Sequence, residues 1–269
     1  MKEMGHYRLA SAKAGDDATL TRYIRIDRDE VRKPRRHSPR IPGLALPFVE
    51  EGRTKFPTRV IAPNDMTTLL VSGHSNVKIG RDVRKGRLKG YWIYTLSLEE
   101  RATCPRSCQH WQSCYGNNMP FAKRIDHTDP DFLPRLEREI GQLCRARGRK
   151  GVLIRLHALG DFYSELYVAF WWRMLEEHSN LAIFGYTARN TALDSIGIDI
   201  EAMNAKFGFR CMIRESNGRW PGMSTVSIAT AADKPDNAFL CPEQTGQTRC
   251  CATCGACWST AKNVAFMDH

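Results

Sequence analysis

The sequence predicts an α/β fold, a partial (β/α) barrel or mostly parallel sheet with Cys-rich metal-binding loops and an extended N-terminal arm. Strand, helix and strand patterns alternate between residues 152 and 187. Two Cys-rich segments, residues 104–116 and 241–257, show no helical or strand periodicity, and turn-forming Pro and Gly punctuate them. Residues 1–60 are charged and dotted with prolines, which resist regular helix. We therefore divide the chain into a basic arm, residues 1–65, and a single α/β domain, residues 66–269, carrying two metal sites.

Positive charge is concentrated in the first half of the chain. Residues 1–150 carry 30 Lys and Arg against 17 Asp and Glu, whereas residues 151–269 carry 10 against 12. A basic front half suits a polyanion, so we expect nucleic acid to bind there; a solvated surface that aids solubility is the alternative. The basic segment 78–90 either contacts phosphate or forms a hairpin with charged edges.

Cysteine use and hydropathy indicate the compartment. The chain has ten cysteines in 269 residues and is long enough to bury a core without disulfides. No N-terminal apolar run is present, and the longest apolar runs are too short to cross a bilayer. We expect a cytoplasmic protein without membrane contact, in which dense thiol spacing indicates metal.

The elements follow from periodicity. In order they are strands at 68–72 and 91–96, a helix at 131–147, a strand at 152–159, a helix to about 178, a strand at 181–187, a helix at 194–206, and strands at 209–214 and 225–229. Cys144 falls on the apolar stripe of the first helix and is predicted to be a core residue. Asp161 or Ser164 caps the second helix. Parallel strands place chemistry at their carboxyl ends.

Polar side chains cluster at those strand ends. We predict that six of them line a cleft: His157, Asp161, Tyr186, Thr187, Arg189 and Glu215. Four of the six are expected to face substrate as catalytic candidates: His157, Asp161, Tyr186 and Arg189. Each also has a structural interpretation on its own, since Asp161 suits a helix cap. Similarly, Arg155 is expected to pair with a carboxylate.

The first thiol set is Cys104, Cys108 and Cys114. Three thiols leave one iron of a cluster open to a ligand from outside the protein, which is typical of a catalytic centre. A fourth ligand from Cys144, Cys211 or His110 would instead close the site and make it structural.

The second thiol set closes the domain. Its members are Cys241, Cys251, Cys254 and Cys257. Four thiolates suit a tetrahedral zinc or a 4Fe-4S cluster, and the tight Cys-X-X-Cys-X-X-Cys run favours iron-sulfur because zinc more often uses two separated pairs. We take Cys250 as the cysteine that does not bind the metal. The alternative is that Cys250 is the ligand and Cys251 is not.

The order of motifs resembles the phage "gene product 88" family and its bacterial relatives. The motifs are Cys-Pro-X-X-Cys with Cys114-Tyr115, an Arg-X-His-X-X-Gly-Asp-Phe-Tyr-Ser strand end, an aromatic-Tyr-Thr strand and a closing Cys-X-X-Cys-X-X-Cys-Trp, over roughly residues 68–269. More distantly, the chain is similar to radical S-adenosylmethionine enzymes, in which three cysteines hold a cluster whose open iron binds the cofactor. That family spaces its cysteines by three and then two residues, whereas here the spacing is three and five. This resemblance implies that Gly160 and Asp161 stand in for the cofactor-binding strand.

Three hypotheses follow. The first is an iron-sulfur enzyme with radical S-adenosylmethionine-like architecture, one or two 4Fe-4S clusters and a nucleic acid substrate. The second is a non-catalytic iron-sulfur or zinc protein of phage or mobile-element type that binds nucleic acid. The third is a zinc-stabilised interaction module without chemistry.

Overall fold

A computed structural model describes residues 47–218 and 223–267. Its strands are β1 Val60–Ile61, β2 Val71–Ser72, β3 Trp92–Ser97, β4 Arg124–Ile125, β5 Val152–Leu159, β6 Leu181–Thr187, β7 Cys211–Ser216, β8 Ser224–Ile228, β9 Ala238–Leu240 and β10 Asn263–Met267. Its α-helices are α1 Pro47–Glu50, α2 Phe132–Arg147, α3 Glu165–Glu177, α4 Ser195–Phe207, α5 Cys251–Cys254 and α6 Ala256–Ser259. Residues 1–46 of the predicted arm lie outside the described residues.

One mostly parallel sheet organises the described residues. Eight of the strands in residues 47–218 and 223–267 form it, in the order β2-β3-β5-β6-β7-β8-β10-β9. Only β2 pairs in the antiparallel direction. From β3 to β8 the parallel strands follow chain order, the winding of a (β/α) barrel, but the described sheet is open and no barrel closes. The prediction of a mostly parallel α/β sheet is confirmed.

The two faces of the sheet are covered by different parts of the chain. One face packs against α2, α3 and α4, through side chains such as Ile140, Trp171 and Ile200. The opposite face, here called the inner face, packs against residues 78–90 and the Cys-rich C-terminal segment. Phe184 contacts Trp258 there, in a buried cluster that also contains Leu153. Adjacent residues of a strand point to opposite faces, so each strand contributes to both cores.

The long helices begin and end where their sequences specify. Ser164 accepts a hydrogen bond from the Tyr167 backbone N–H and caps α3, which decides between the two predicted caps. Asp194 accepts from two backbone N–H groups and caps α4. Cys144 is buried in the core on the helical side, as predicted.

Residues 78–90 form a charged hairpin, and their contact with phosphate stays a prediction. The Val83 N–H donates to the Tyr91 carbonyl at 2.9 Å, and Asp82 bridges Trp92 in the antiparallel sense. Five basic side chains of this hairpin are exposed: Arg81, Arg84, Lys85, Arg87 and Lys89.

Residues 47–65, the last part of the predicted arm, pack on the domain. The Thr54 hydroxyl donates to Glu100 at 2.7 Å, and β1 pairs in parallel with β4. Within the described parts of the chain, no helix has the length and apolar character needed to cross a membrane.

Candidate metal centres

The first thiol loop, residues 99–118, leaves the sheet directly after β3. Its three thiols, Cys104, Cys108 and Cys114, are each partly accessible and lie within electrostatic reach of one another. Burial raises the pKa of Cys114 to about 11. Burial also raises the pKa of Cys104, and the nearby Asp161 carboxylate raises it further. A metal must therefore displace protons when it binds these thiols.

A buried ion pair holds the far half of this loop. Arg124 and Glu100 are 0% and 1% exposed, and Arg124 Nε donates to Glu100 Oε2 at 2.6 Å. A second bond joins Arg124 Nη2 to Glu100 Oε1 at 2.9 Å. The same guanidinium donates to the carbonyls of Gly116 and Ala122 at 3.1 and 2.7 Å. The pair therefore fixes the backbone that follows Cys114.

Arg101 fixes the middle of the loop. Its φ of 67° lies in the left-handed region, which is rare for a side chain larger than glycine. Its guanidinium donates to the Trp111 carbonyl and to Asn117 Oδ1, both at 2.9 Å. Trp111 in turn donates to the Val49 carbonyl at 3.1 Å. The segment between Cys108 and Cys114 is thus held by protein contacts.

The three residues considered as a fourth ligand are all engaged elsewhere. Cys144 lies in the helix-side core. Cys211 lies there as well, and its thiol donates to Asn204 Oδ1 at 3.3 Å. His110 Nε2 hydrogen-bonds with Ser227 Oγ at 3.0 Å. This bond joins the first thiol loop, which follows β3, to β8.

The second thiol set surrounds one narrow cavity. Its lining includes all four predicted ligands: Cys241, Cys251, Cys254 and Cys257. Trp258 also lines this cavity, and its indole Nε1 is buried without a hydrogen-bond partner among the described residues. Cys250 is absent from the lining; its sulfur lies 3.6 Å from Thr253 Oγ1. The geometry thus separates Cys250 from Cys251.

Two inner-face residues position the C-terminal thiols. Arg214 is completely buried and donates to the carbonyls of Cys257, Thr260 and Lys262. Tyr186 Oη donates to Cys257 Sγ at 3.0 Å. Burial raises the pKa of the Cys257 thiol. The sheet therefore sets the position of the segment that carries three of the four thiols.

The basic hairpin supports the same segment from the other side. The Cys251 and Ala252 N–H groups donate to the carbonyls of Lys78 and Ile79, both at 2.8 Å. Gly80 has a φ of +85°, and a Cβ there would lie 2.7 Å from Ala252 Cβ. Only glycine permits this close approach.

Neither thiol set has the spacing of a single-ion site. Across residues 47–218 and 223–267, no three His, Cys, Asp or Glu side chains are arranged to hold one metal ion. One zinc ion draws its sulfurs in to about 2.3 Å from a single centre, whereas a four-iron cluster keeps each thiolate on a different iron. The predicted metal-binding loops stay a prediction.

Gly160 and Asp161 lie where β5 meets the first thiol loop. Gly160 has a φ of +86°, and a Cβ there would lie 2.7 Å from Thr103 Oγ1. The Asp161 carboxylate accepts from the backbone N–H groups of Phe162 and Ala188, both at 2.7 Å. Burial raises the pKa of Asp161 to about 6. Through these two hydrogen bonds the Asp161 carboxylate joins the end of β5 to the end of β6, next to Cys104.

Three of the four predicted catalytic residues lie around Phe162: Asp161, His157 and Arg189. Asp161 lies by the first thiol set, whereas Tyr186 lies apart from these three by the second. His157 packs on the helical side, where its Nε2 lies 3.0 Å from the Tyr167 hydroxyl. Arg189 donates to the Phe162 carbonyl at 2.9 Å and pairs with Asp194 at 3.3 Å, so it supports the start of α4.

Acidification is expected to destabilise the protein through His157. Burial lowers the pKa of His157 from 6.5 to about 3, so the unfolded chain gains a proton near pH 6.5 that the folded protein does not accept. This contribution to stability is complete above pH 6.5 and is lost as the pH falls toward 3, by up to ~1.4 kcal/mol per pH unit. Urea unfolding between about pH 7 and about pH 4 should show a shallower pH slope for His157→Gln.

The control is His74→Gln, which replaces an exposed histidine and should keep the wild-type slope. Equal slopes for His157→Gln and the wild type would contradict the assignment.

Sequence reasoning missed the buried charges that support both sites. Arg214 stands within β7, and Glu100 and Arg101 lie three and four residues beyond the end of β3. A charge inside a buried strand is itself a signal, since such a group needs a partner. Arg155 does not have the carboxylate partner expected of it: its buried Nε has no hydrogen-bond partner among the described residues.

Comparison with known proteins places the chain in a family. The chain is similar to the "Gene 88 protein" of Mycobacterium phage L5, with 26% identity over 166 residues, 56% of this chain and 69% of the phage protein. No solved structure matches the chain. Residues 68–205, just over half of the chain, match the family described as "Gene product 88", and the chain therefore belongs to that family.

Proposed function

We propose that this protein is an iron-sulfur enzyme with radical S-adenosylmethionine-like architecture. In this proposal Cys104, Cys108 and Cys114 hold the reactive cluster, and the four C-terminal thiols hold an auxiliary cluster. The strand order supports it, because β3 to β8 run parallel in chain order and the first thiol loop follows the first of them. Catalytic sites of such folds lie at the carboxyl ends of the strands.

The convergence of all four C-terminal thiols on one cavity is the observation that carries the proposal. Soft thiolates select iron-sulfur clusters or zinc. The unpartnered Trp258 Nε1 in the cavity wall fits an occupant that accepts hydrogen bonds, as the sulfurs of a cluster do. The four thiol donors therefore suit a 4Fe-4S cluster. Zinc is the alternative, and it would require the four thiols to move toward one centre.

The chain's own residues would prepare the first site. The Glu100–Arg124 pair and Arg101 hold the thiol loop in place before anything binds. Three thiols leave one iron without a protein ligand, and a bound cluster would supply electrons for cofactor cleavage at that iron. We assign Gly160 and Asp161 to the cofactor side, because they contact the loop next to Cys104.

The test of this function is cofactor cleavage. Anaerobically purified protein, reduced with dithionite, should convert S-adenosylmethionine to 5′-deoxyadenosine, and a Cys104→Ala, Cys108→Ala, Cys114→Ala variant should not. If protein with a full iron content formed no 5′-deoxyadenosine, the proposed enzymatic function would be wrong.

A non-catalytic nucleic-acid-binding protein is the second candidate, favoured by the exposed basic hairpin. Four of its exposed cations, Arg84, Lys85, Arg87 and Lys89, lie within six residues. Phosphate contacts release counterions, so binding should weaken steeply with salt. Both functions are compatible if the enzyme acts on nucleic acid.

A matched pair of variants tests the nucleic-acid proposal. Replacing the four hairpin cations with Ala should reduce the slope of log affinity against log salt for duplex and single-stranded DNA, by up to about 4. The control replaces four exposed cations on and just after α2 with Ala: Arg138, Arg145, Arg149 and Lys150. An equal reduction of the salt slope in both variants would show that only the net charge of the protein matters. Binding of the wild-type protein that does not depend on salt would show that the hairpin makes no phosphate contacts.

A further inference from the structure

Arg155 is a half-buried cation whose Nε lacks a hydrogen-bond partner among the described residues. It lies in the middle of β5, and its Nε atom is buried. Its guanidinium carbon lies 5.8 Å from the centre of the Tyr186 ring. A buried N–H group without an acceptor is costly, so its position favours a neighbour that accepts a hydrogen bond.

The position of Arg155 on β5 indicates where that acceptor would come from. Side chains two residues apart on a strand share a face, so Arg155 follows Leu153 on the inner face, where Leu153 belongs to one cluster with Cys257 and Trp258. The guanidinium lies over the ring of Tyr186, whose hydroxyl donates to Cys257. Thiolates bound to a cluster would supply negative charge at this place.

Two further side chains with hydrogen-bond donors lie beside the same set of thiols. Tyr186 Oη donates to Cys257 Sγ at 3.0 Å. Trp258 is 3% exposed, lines the cavity and has an unpartnered Nε1. Tyr186 is thus bonded to a thiol, whereas Arg155 Nε and Trp258 Nε1 are buried donors without an acceptor among the described residues.

We propose that Arg155, Tyr186 and Trp258 form a donor shell around the C-terminal cluster and make it redox-active rather than only structural. The inference rests on the proposed iron-sulfur function and names a role for its second site. Hydrogen bonds and positive charge stabilise the reduced cluster more than the oxidised one, because the reduced cluster carries one more negative charge. The shell therefore raises the reduction potential.

The test measures that potential for the C-terminal cluster alone. In full-length protein with Cys104, Cys108 and Cys114 replaced by Ala, the remaining cluster is titrated with dithionite and followed by absorption and electron paramagnetic resonance. Arg155→Gln should lower the ratio of reduced to oxidised cluster at least tenfold at a fixed potential, ~59 mV for one electron. Trp258→Phe and Tyr186→Phe should shift the ratio in the same direction, and by less.

Two controls and a conservative variant make the result specific. Arg173→Gln removes one cation from an exposed surface pair and should leave the potential unchanged. Arg155→Lys keeps the charge and should recover most of the shift. If Arg155→Gln does not fold, Trp258→Phe and Tyr186→Phe carry the test. An intact cluster with wild-type potential in Arg155→Gln and Trp258→Phe, or in Trp258→Phe and Tyr186→Phe where Arg155→Gln does not fold, would overturn this inference while the proposed function stood. Zinc in place of iron would overturn both.

Discussion

Glu100→Ala is expected to cost about 3–5 kcal/mol of stability and to release iron from the first thiol loop. The substitution leaves the Arg124 guanidinium, which is 0% exposed, without its carboxylate. Arg124 also holds the carbonyls of Gly116 and Ala122, so a displaced guanidinium would free the backbone after Cys114. Urea unfolding and iron analysis of anaerobically reconstituted protein measure the two effects.

The matched control for Glu100→Ala is Glu137→Ala. Glu137 also makes two bonds to one arginine, Arg173, at 2.7 and 2.8 Å, but its side chain is 41% exposed. An exposed pair contributes about 0–1 kcal/mol, so this variant should keep its stability and its iron. Similar costs for the two variants would show that the Glu100–Arg124 pair does not organise the loop.

Cys254→Ala is expected to remove the C-terminal metal and to unfold the segment that carries it. A structural metal contributes on the order of 10 kcal/mol, comparable with the whole stability of a domain. The iron content of the purified protein should fall by about half, and the melting temperature should drop sharply.

Cys250→Ala separates metal binding from packing. Cys250 is 6% exposed and lies outside the cavity lining, whereas Cys254 is half-buried and lines the cavity. Loss of packing alone would make Cys250→Ala the more damaging change. Loss of a metal ligand would instead make Cys254→Ala the more damaging change. The variant with the lower melting temperature therefore shows whether packing or metal binding stabilises this segment.

The regular part of the fold was predictable because its signals are local. Apolar runs bounded by turns gave the bounds of β5 and β6, and Ser164 supplied the cap of α3. The position of β10 was not predictable, because this strand from the end of the chain inserts between β8 and β9. Such pairing depends on long-range contacts that no local pattern specifies.

The candidate site was predictable in its residue types and less so in its orientation. Alternation along a strand would place Arg155 and His157 on the same face. The β5–β6 ladder ends at Leu156, however, and the β3–β5 register shifts between Thr95 and Ser97. Beyond this irregularity His157 packs against α3. The buried Glu100–Arg124 pair joins residues 24 apart, and neither residue has a sequence pattern that indicates the other.

Metal and sulfide analysis of anaerobically purified protein, with an absorption spectrum, tests the central claim most directly. The same analysis is made on the variant in which Cys104, Cys108 and Cys114 are all replaced by Ala. Two clusters predict about eight irons and matching sulfide per chain, falling to about four in the variant. Zinc without iron in the wild-type protein would contradict the account and leave a basic, metal-stabilised binding protein.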